Sequence, residues 1–334
     1  MLLVCFFMIA SMCLVMPASA EHSWTEDVLE HCENIGYVPS IGLDASDNPV
    51  IAYGSTWGFN FTSKSGQSWN FEQVNTDIVH VMDMEMDGSD SHVAYVYGNY
   101  YVEGIKYAKR TGGAWSVSTV YNASRTMQYI AIALDSSGNP YILCELTDSG
   151  FYTKEMVLFS KSGGSWGYET ITPDGGWEGY DLAIGPSDTI HVVYENGSAD
   201  SVEYATKQVG SGNWQYEKLM DGHHSEGGIA IELDSSGEPH LIVDDSHFHK
   251  TGGTWTEEAF PDIWSGGVEW VDLEIDDQDN MYASVFQGLN LGYCQNLGSG
   301  WETEKVATGL TGYGCSIAVD GSGIPHIAYG NYNY

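Results

Sequence analysis

Positive charge is what this chain most conspicuously lacks. Eleven Lys and Arg stand against 46 Asp and Glu, a formal net charge of −35, and only two of the bases are arginines, Arg110 and Arg125. A surface field of that sign repels phosphate, so nucleic acid and anionic membranes are not expected as partners. Motifs for several chemistries are missing too. No nucleophile elbow, zincin HExxH or P-loop occurs, which removes the usual signatures of nucleophilic, zinc-protease and nucleotide chemistry. No CxxC pair occurs, and beyond residue 20 no apolar run is long enough to span a bilayer.

Residues 1–20, MLLVCFFMIASMCLVMPASA, are uncharged and apolar and end in the small residues ASA. They read as a signal peptide cleaved after Ala20. An uncleaved anchor is the alternative, because about 20 apolar residues can span a membrane. The expectation is export, to the medium, the periplasm or the cell surface, with residues 21–334 forming the mature domain and no membrane insertion once the leader is removed. Cys32, Cys144, Cys294 and Cys315 then remain, in a compartment that permits pairing.

Glycine (40 residues) and aromatic side chains (13%) are abundant while charged residues reach only 17%. That balance favours short strands joined by tight turns over long helices. Self-similarity then gives the architecture. The stretches IGLDASDNPVIAY at 41, MEMDGSDSHVAY at 84, IALDSSGNPYILC at 132, LAIGPSDTIHVVY at 182, IELDSSGEPHLIV at 231, LEIDDQDNMYASV at 273 and IAVDGSGIPHIAY at 317 are copies of one hairpin. After each of the first six comes an aromatic strand, a Gly/Ser turn and a tryptophan: Trp69, Trp115, Trp166, Trp214, Trp255 and Trp301. Trp24 supplies a seventh. The spacing of these tryptophans, 41 to 51 residues, is that of a four-stranded propeller blade.

One blade cannot bury both faces, whereas blades in a ring bury them against each other. The repeat therefore predicts an all-β, seven-bladed β-propeller of four-stranded antiparallel blades, acting as a monomer. Its ring is expected to close by a split blade, with SWTEDVL at 23 as outer strand and SIAVDGSGIPHIAY at 316 as inner strands. Cys32 and Cys315 flank that closure and could form a disulfide across it.

The LDSSGNPHIAY-type unit followed by GGxW resembles the repeats of secreted microbial β-propellers in the broad sialidase-like and lectin-like group, over essentially the whole mature chain. The resemblance implies a propeller that meets carbohydrate or protein. It does not carry over the sialidase mechanism, which needs three arginines on the substrate carboxylate. Nine lysines spread over seven blades also make a poor groove for polyuronates.

Most acidic turn residues read as turn chemistry. Asp44, Asp87, Asp135, Asp234, Asp276 and Asp320 sit where a carboxylate caps backbone N–H groups. The repeated His92, His191, His240 and His326 occupy a position that accepts Val and Tyr in other copies, and read as packing. His247 aligns with Tyr107 and Tyr204 and reads the same way.

What the repeat does not require is where function is expected. Aromatic residues outside the repeat fall in loops of one face, and Trp57, Tyr97, Tyr101, Tyr152, Trp177, Tyr180, Trp264 and Trp270 are the candidate ligand contacts, suited to stacking on a neutral glycan or meeting a protein partner. Asp83, Asp181 and Asp272 share one position of the innermost strand and are the catalytic candidates if the protein is a carbohydrate-active enzyme, a glycoside hydrolase or lyase. Two residues on, Glu85 and Glu274 join Asp83 and Asp272 as candidate ligands for a divalent cation such as Ca²⁺. His223 and His224, with His249, form a candidate site for Zn²⁺ or Cu²⁺.

Overall fold

The computed structural model describes residues 24–29, 39–55, 57–99, 102–125, 129–147, 154–222, 228–264, 267–310 and 314–330. Blade 1 consists of β1 (Ser40–Leu43), β2 (Pro49–Ser55), β3 (Gly58–Ser65) and β4 (Ser68–Asn75). Blade 2 consists of β5 (Val79–Asp87), β6 (Asp90–Asn99), β7 (Val102–Thr111) and β8 (Ala114–Arg125). Blade 3 follows with β9 (Ala131–Leu134), β10 (Pro140–Thr147), β11 (Lys154–Ser162) and β12 (Ser165–Thr172). Blade 4 holds β13 (Gly175–Ile184), β14 (Thr189–Asn196), β15 (Ser201–Gln208) and β16 (Gln215–Asp221). Blade 5 holds β17 (Ile229–Leu233), β18 (Pro239–Val243), β19 (Ser246–Thr251) and β20 (Thr254–Ala259). Blade 6 holds β21 (Trp270–Ile275), β22 (Met281–Gln287), β23 (Asn290–Asn296) and β24 (Trp301–Thr308), and β25 (Cys315–Val319) pairs with β26 (Pro325–Tyr329) alone. Every sheet is an antiparallel meander in chain order.

The protein is thus a β-propeller with six four-stranded blades, and the expectation of seven is corrected. The ring still has seven sectors, because a separate apolar core fills each gap between neighbours, from Val50, Phe59 and Met82 between blades 1 and 2 to Ile41, Ile51 and Ala328 between the two-stranded sheet and blade 1. The seventh sector differs in what completes it. Residues 24–29 lie there as expected, with the Trp24 ring edge-on to Tyr293 at 5.2 Å, the Tyr329 hydroxyl donating to Glu26, and Leu29 buried beside Ala328. They are nevertheless not a β-strand: side chains, not a backbone ladder, hold this segment.

Five of the six expected turns bear out the capping chemistry, while Asp87 is instead the last residue of β5, paired with Asp90 across a two-residue turn. Asp44 Oδ1 accepts from the N–H groups of Ser46 (2.9 Å) and Asn48 (3.0 Å), and Asp135, Asp234, Asp276 and Asp320 repeat the pattern. The fourth turn residue has positive φ, which explains why it is glycine in some copies (Gly138, 72°; Gly237, 76°) and Asp in others (Asp188, 57°; Asp279, 61°). Those two aspartates also reach sideways, Asp188 to the N–H and hydroxyl of Ser136 and Asp279 to those of Ser235, tying neighbouring blades together.

Two of the repeated histidines, His92 and His191, are packing groups with one fixed partner. His92 Nδ1 meets the Tyr107 hydroxyl at 2.7 Å and His191 Nδ1 meets that of Tyr204 at 2.6 Å. Burial pushes both imidazoles down to about 4, so they are neutral at physiological pH. The repeated tryptophans lean on the preceding blade: Trp115 on Phe59 and Phe61, Trp166 on Tyr107, Trp255 on Tyr204. Basic side chains are spent in the same seams. Lys64, Lys207 and Lys250 each lie over a tryptophan ring and bond an acid of the preceding segment or blade.

Candidate channel site

The innermost strands surround a central cavity of about 200 Å³. Alternate residues of a strand share a face, and on these strands the alternation stacks the channel lining in tiers. The middle tier reads Ser40, Asp83, Ala131, Asp181, Ala230, Asp272 and Ser316 from β1 to β25. The next reads Gly42, Glu85, Ala133, Ala183, Glu232, Glu274 and Ala318. Six carboxylates therefore line one cavity, and among the described residues no Lys or Arg does.

The three aspartates are occupied. Asp83 Oδ2 accepts from Ile132 N–H at 2.9 Å, Asp181 Oδ2 from Ile231 N–H at 2.9 Å, and Asp272 Oδ2 from Ile317 N–H at 2.7 Å. Each partner belongs to the innermost strand of the following sector. That strand edge has no ladder neighbour of its own, and a carboxylate supplies the missing acceptor. Small residues alternate with the aspartates because each carboxylate reaches across its neighbour. Ser40 and Ser316 extend the stitching: Met84 N–H donates to Ser40 Oγ at 3.1 Å and Ile41 N–H to Ser316 Oγ at 3.2 Å. Burial raises the pKa of all three aspartates, to about 6 for Asp272, against the lowering effect of those N–H bonds.

The glutamate tier is less committed. Among the described residues, Glu232 accepts only from its own neighbour, Leu233 N–H, at 3.1 Å. Burial first, and mutual repulsion second, push Glu85 up to about 8 and Glu274 well above the usual carboxylate range; burial pushes Glu232 up to about 7. Protons are therefore shared among these groups near neutral pH. The expected cation set is spread around the ring: among the described residues, no three channel carboxylates bring ligand atoms within 4.8 Å of one another.

At the loop face, aromatic rings close over this cavity. Tyr129 of the segment before β9 meets Trp270 of β21 at 5.3 Å and the Tyr180 ring at 5.9 Å. Tyr180 is buried, its hydroxyl donating to Tyr129 O at 2.6 Å and accepting from Glu145 N–H at 3.1 Å, so it props the other two. Of the aromatic candidates, Tyr180 and Trp270 come together here. Trp57 lies apart and exposed on the turn between β2 and β3. Tyr97 stands under Lys106 with its hydroxyl on Asn122, and Trp264 lies under Lys305. Tyr101 and Tyr152 lie outside the described residues, as does the side chain of Trp177. Tyr129, unmarked by the repeat, was missed; its place two residues before the channel position, like that of Trp270, was the available signal.

His223 and His224 lie outside the described residues, as does the leader. So does Cys32, while Cys315 is a free, buried thiol whose pKa burial raises to about 12, next to Ser284.

No family model matches the chain, and no curated protein matches it in sequence. Solved structures do match. A Hadza microbial sialidase, Hz136, superposes with a TM-score of 0.56 at 10% identity over 92% of this chain and 67% of its own. The Aleuria aurantia lectin, solved with α-methyl-L-fucoside, gives 0.57 at 12% identity over 83% of this chain and 96% of its own. A family PL25 ulvan lyase bound to -[GlcA(1-4)Rha3S]- gives 0.54 at 13% identity over 93% and 88%. At such identities the likeness is one of fold alone: the chain is a β-propeller, the fold it shares with these proteins.

Proposed function

We propose that this protein is an exported carbohydrate-binding propeller that takes a neutral saccharide at the aromatic mouth of its channel. The observation that carries the reading is the lining of that mouth: the rings of Tyr129 and Trp270 over a cavity with six carboxylates and no basic side chain among the described residues. Aromatic faces stack on the C–H faces of sugar rings, and carboxyl groups accept hydrogen bonds from sugar hydroxyls. An acidic sugar would bring a further negative charge to a low-dielectric pocket already short of protons, and is disfavoured. At about 200 Å³ the cavity is smaller than the roughly 300–1,000 Å³ of pockets that engulf drug-sized ligands, which suits one terminal sugar unit.

The direct test is a glycan array probed with the wild-type protein, with and without EDTA, and with Trp270→Ala and Tyr129→Ala. The expected result is retention of neutral glycans by the wild type and its loss in both variants. Binding confined to uronate or sialylated probes, or binding that survives both substitutions, overturns it. Sensitivity to EDTA would add a cation to the ligand set.

One observation favours a second reading, a glycoside hydrolase or lyase. Glu85, Glu232 and Glu274 share a cavity with pKa values raised to different degrees, the condition under which one carboxyl donates a proton while another accepts one. These glutamates, not the backbone-bound Asp83, Asp181 and Asp272, would be its catalytic groups. Release of reducing ends from a neutral polysaccharide by the wild type, abolished in Glu232→Gln, would favour it over simple binding.

A further inference from the structure

Blade 5 departs from a pattern that blades 2 and 4 share. In blades 2 and 4 the histidine that opens the second strand bonds a tyrosine hydroxyl from the third, His92 with Tyr107 and His191 with Tyr204. In blade 5 that tyrosine is replaced by His247. The stretch SHFHK at 246 then places a second imidazole, His249, on the same face of β19, while Phe248 between them turns into the opposite core. His240 of β18 pairs in register with His249, and Glu258 of β20 pairs in register with His247. Four potential ligands thus occupy one patch facing blade 6.

The geometry points to a divalent transition-metal site formed by His247, His249 and Glu258. One ligand atom from each lies within 4.8 Å of the others, and His247 Nδ1 is 3.9 Å from Glu258 Oε2. Zinc bonds of about 2.0–2.2 Å require this triangle to contract, a matter of side-chain rotations of roughly 1 Å.

Two further observations point to a ligand. His247 is 1% exposed, and its Nδ1, like that of His249, is sealed from solvent without a hydrogen-bond partner. A buried ring nitrogen facing a carboxylate and a second imidazole at this range is what a bound cation would satisfy. The outer groups are also in place. His240 Nδ1 lies 3.1 Å from His247 Nε2, and His240 Nε2 lies 3.8 Å from Asp234 Oδ2, a relay of the kind that fixes the tautomer and orientation of a metal-bound imidazole. Two imidazoles with one carboxylate suit Zn²⁺ and its neighbours rather than Ca²⁺, which takes oxygen ligands. Glu258 is exposed, leaving the fourth position open to water.

The test is a Zn²⁺ titration of EDTA-stripped, dialysed protein against a chromogenic chelator, in excess Ca²⁺ to occupy the acidic surface. The wild type is expected to take up one Zn²⁺ per chain and to melt at higher temperature when loaded. His247→Tyr restores the His–Tyr pair of blades 2 and 4, so it should fold while weakening Zn²⁺ by more than the roughly tenfold that loss of even an outer partner costs. His249→Ala at the blade edge should do the same. Zn²⁺ uptake no tighter than the multi-site binding of an acidic surface, or equal affinity in wild type and both variants, overturns the assignment.

Discussion

Replacing Glu85 with glutamine should stabilise the protein at about pH 8 and leave it nearly unchanged at about pH 5.5. Glu85 is raised from 4.5 to about 8 by burial and by Glu232 and Asp83. A carboxyl whose folded pKa lies above its unfolded value binds more protons folded than unfolded between those two values. Its contribution therefore falls as pH rises through that window and is recovered on acidification. One pKa unit corresponds to about 1.4 kcal/mol, so the full shift would amount to several kcal/mol. The side chain is only half-buried and lines a cavity, and solvent screening reduces the effect to roughly 1–2 kcal/mol. In a chain of this size that is about 2–8 °C in melting temperature. Glutamine keeps the shape without the charge. Melting curves of wild type and Glu85→Gln in EDTA across this range should therefore diverge at high pH and converge at low pH. The difference between the two proteins is the relevant quantity, because acidification also relieves the general repulsion of a chain carrying −35. A variant destabilised at pH 8, or a gap that does not change with pH, would refute the assignment of Glu85 as a repelled channel carboxyl.

The aspartate stitches predict a different response. Asp181→Ala leaves Ile231 N–H without its acceptor and should cost about 1–3 kcal/mol in chemical denaturation, whereas Asp181→Asn keeps an oxygen there and should cost much less; equal losses would contradict the stitching role. Gly58→Ala places a Cβ 2.0 Å from Asn75 O at φ 145°, so a loss of more than about 1 kcal/mol is expected in the same assay, and a neutral result would contradict the close approach of that turn to the end of β4.

Much of the fold was legible because a blade is a local object. The alternation within each hairpin, the Asp cap and the Gly or Asp at positive φ all act within a few residues, so Asp44, Asp135, Asp234, Asp276 and Asp320 could be assigned to turns from their spacing alone. The identical placement of Trp115, Trp166 and Trp255 made the ring itself an inference from sequence. The channel site was legible only in outline. Asp83, Asp181 and Asp272 were recognisable as one position on one strand face, but sequence does not show that Ile132, Ile231 and Ile317 present their N–H groups to them. That placed binding or catalytic expectations on groups that hold the ring together.

By itself, then, the sequence determined the repeating unit, the closure of those units into a propeller and the strongly acidic charge balance, because period, turn chemistry and net charge are properties of short segments or of the whole sum. Only the tertiary structure decided what meets across blades. Among the described residues it held residues 24–29 to the seventh sector through side chains rather than a strand ladder, brought Tyr129 of one blade over the channel to Trp270 of another, and turned the blade 5 patch around His247 towards Trp301 of blade 6. Such contacts depend on how sectors rotate about a common axis. No local pattern encodes that rotation; it is fixed when the apolar faces between the blades pack.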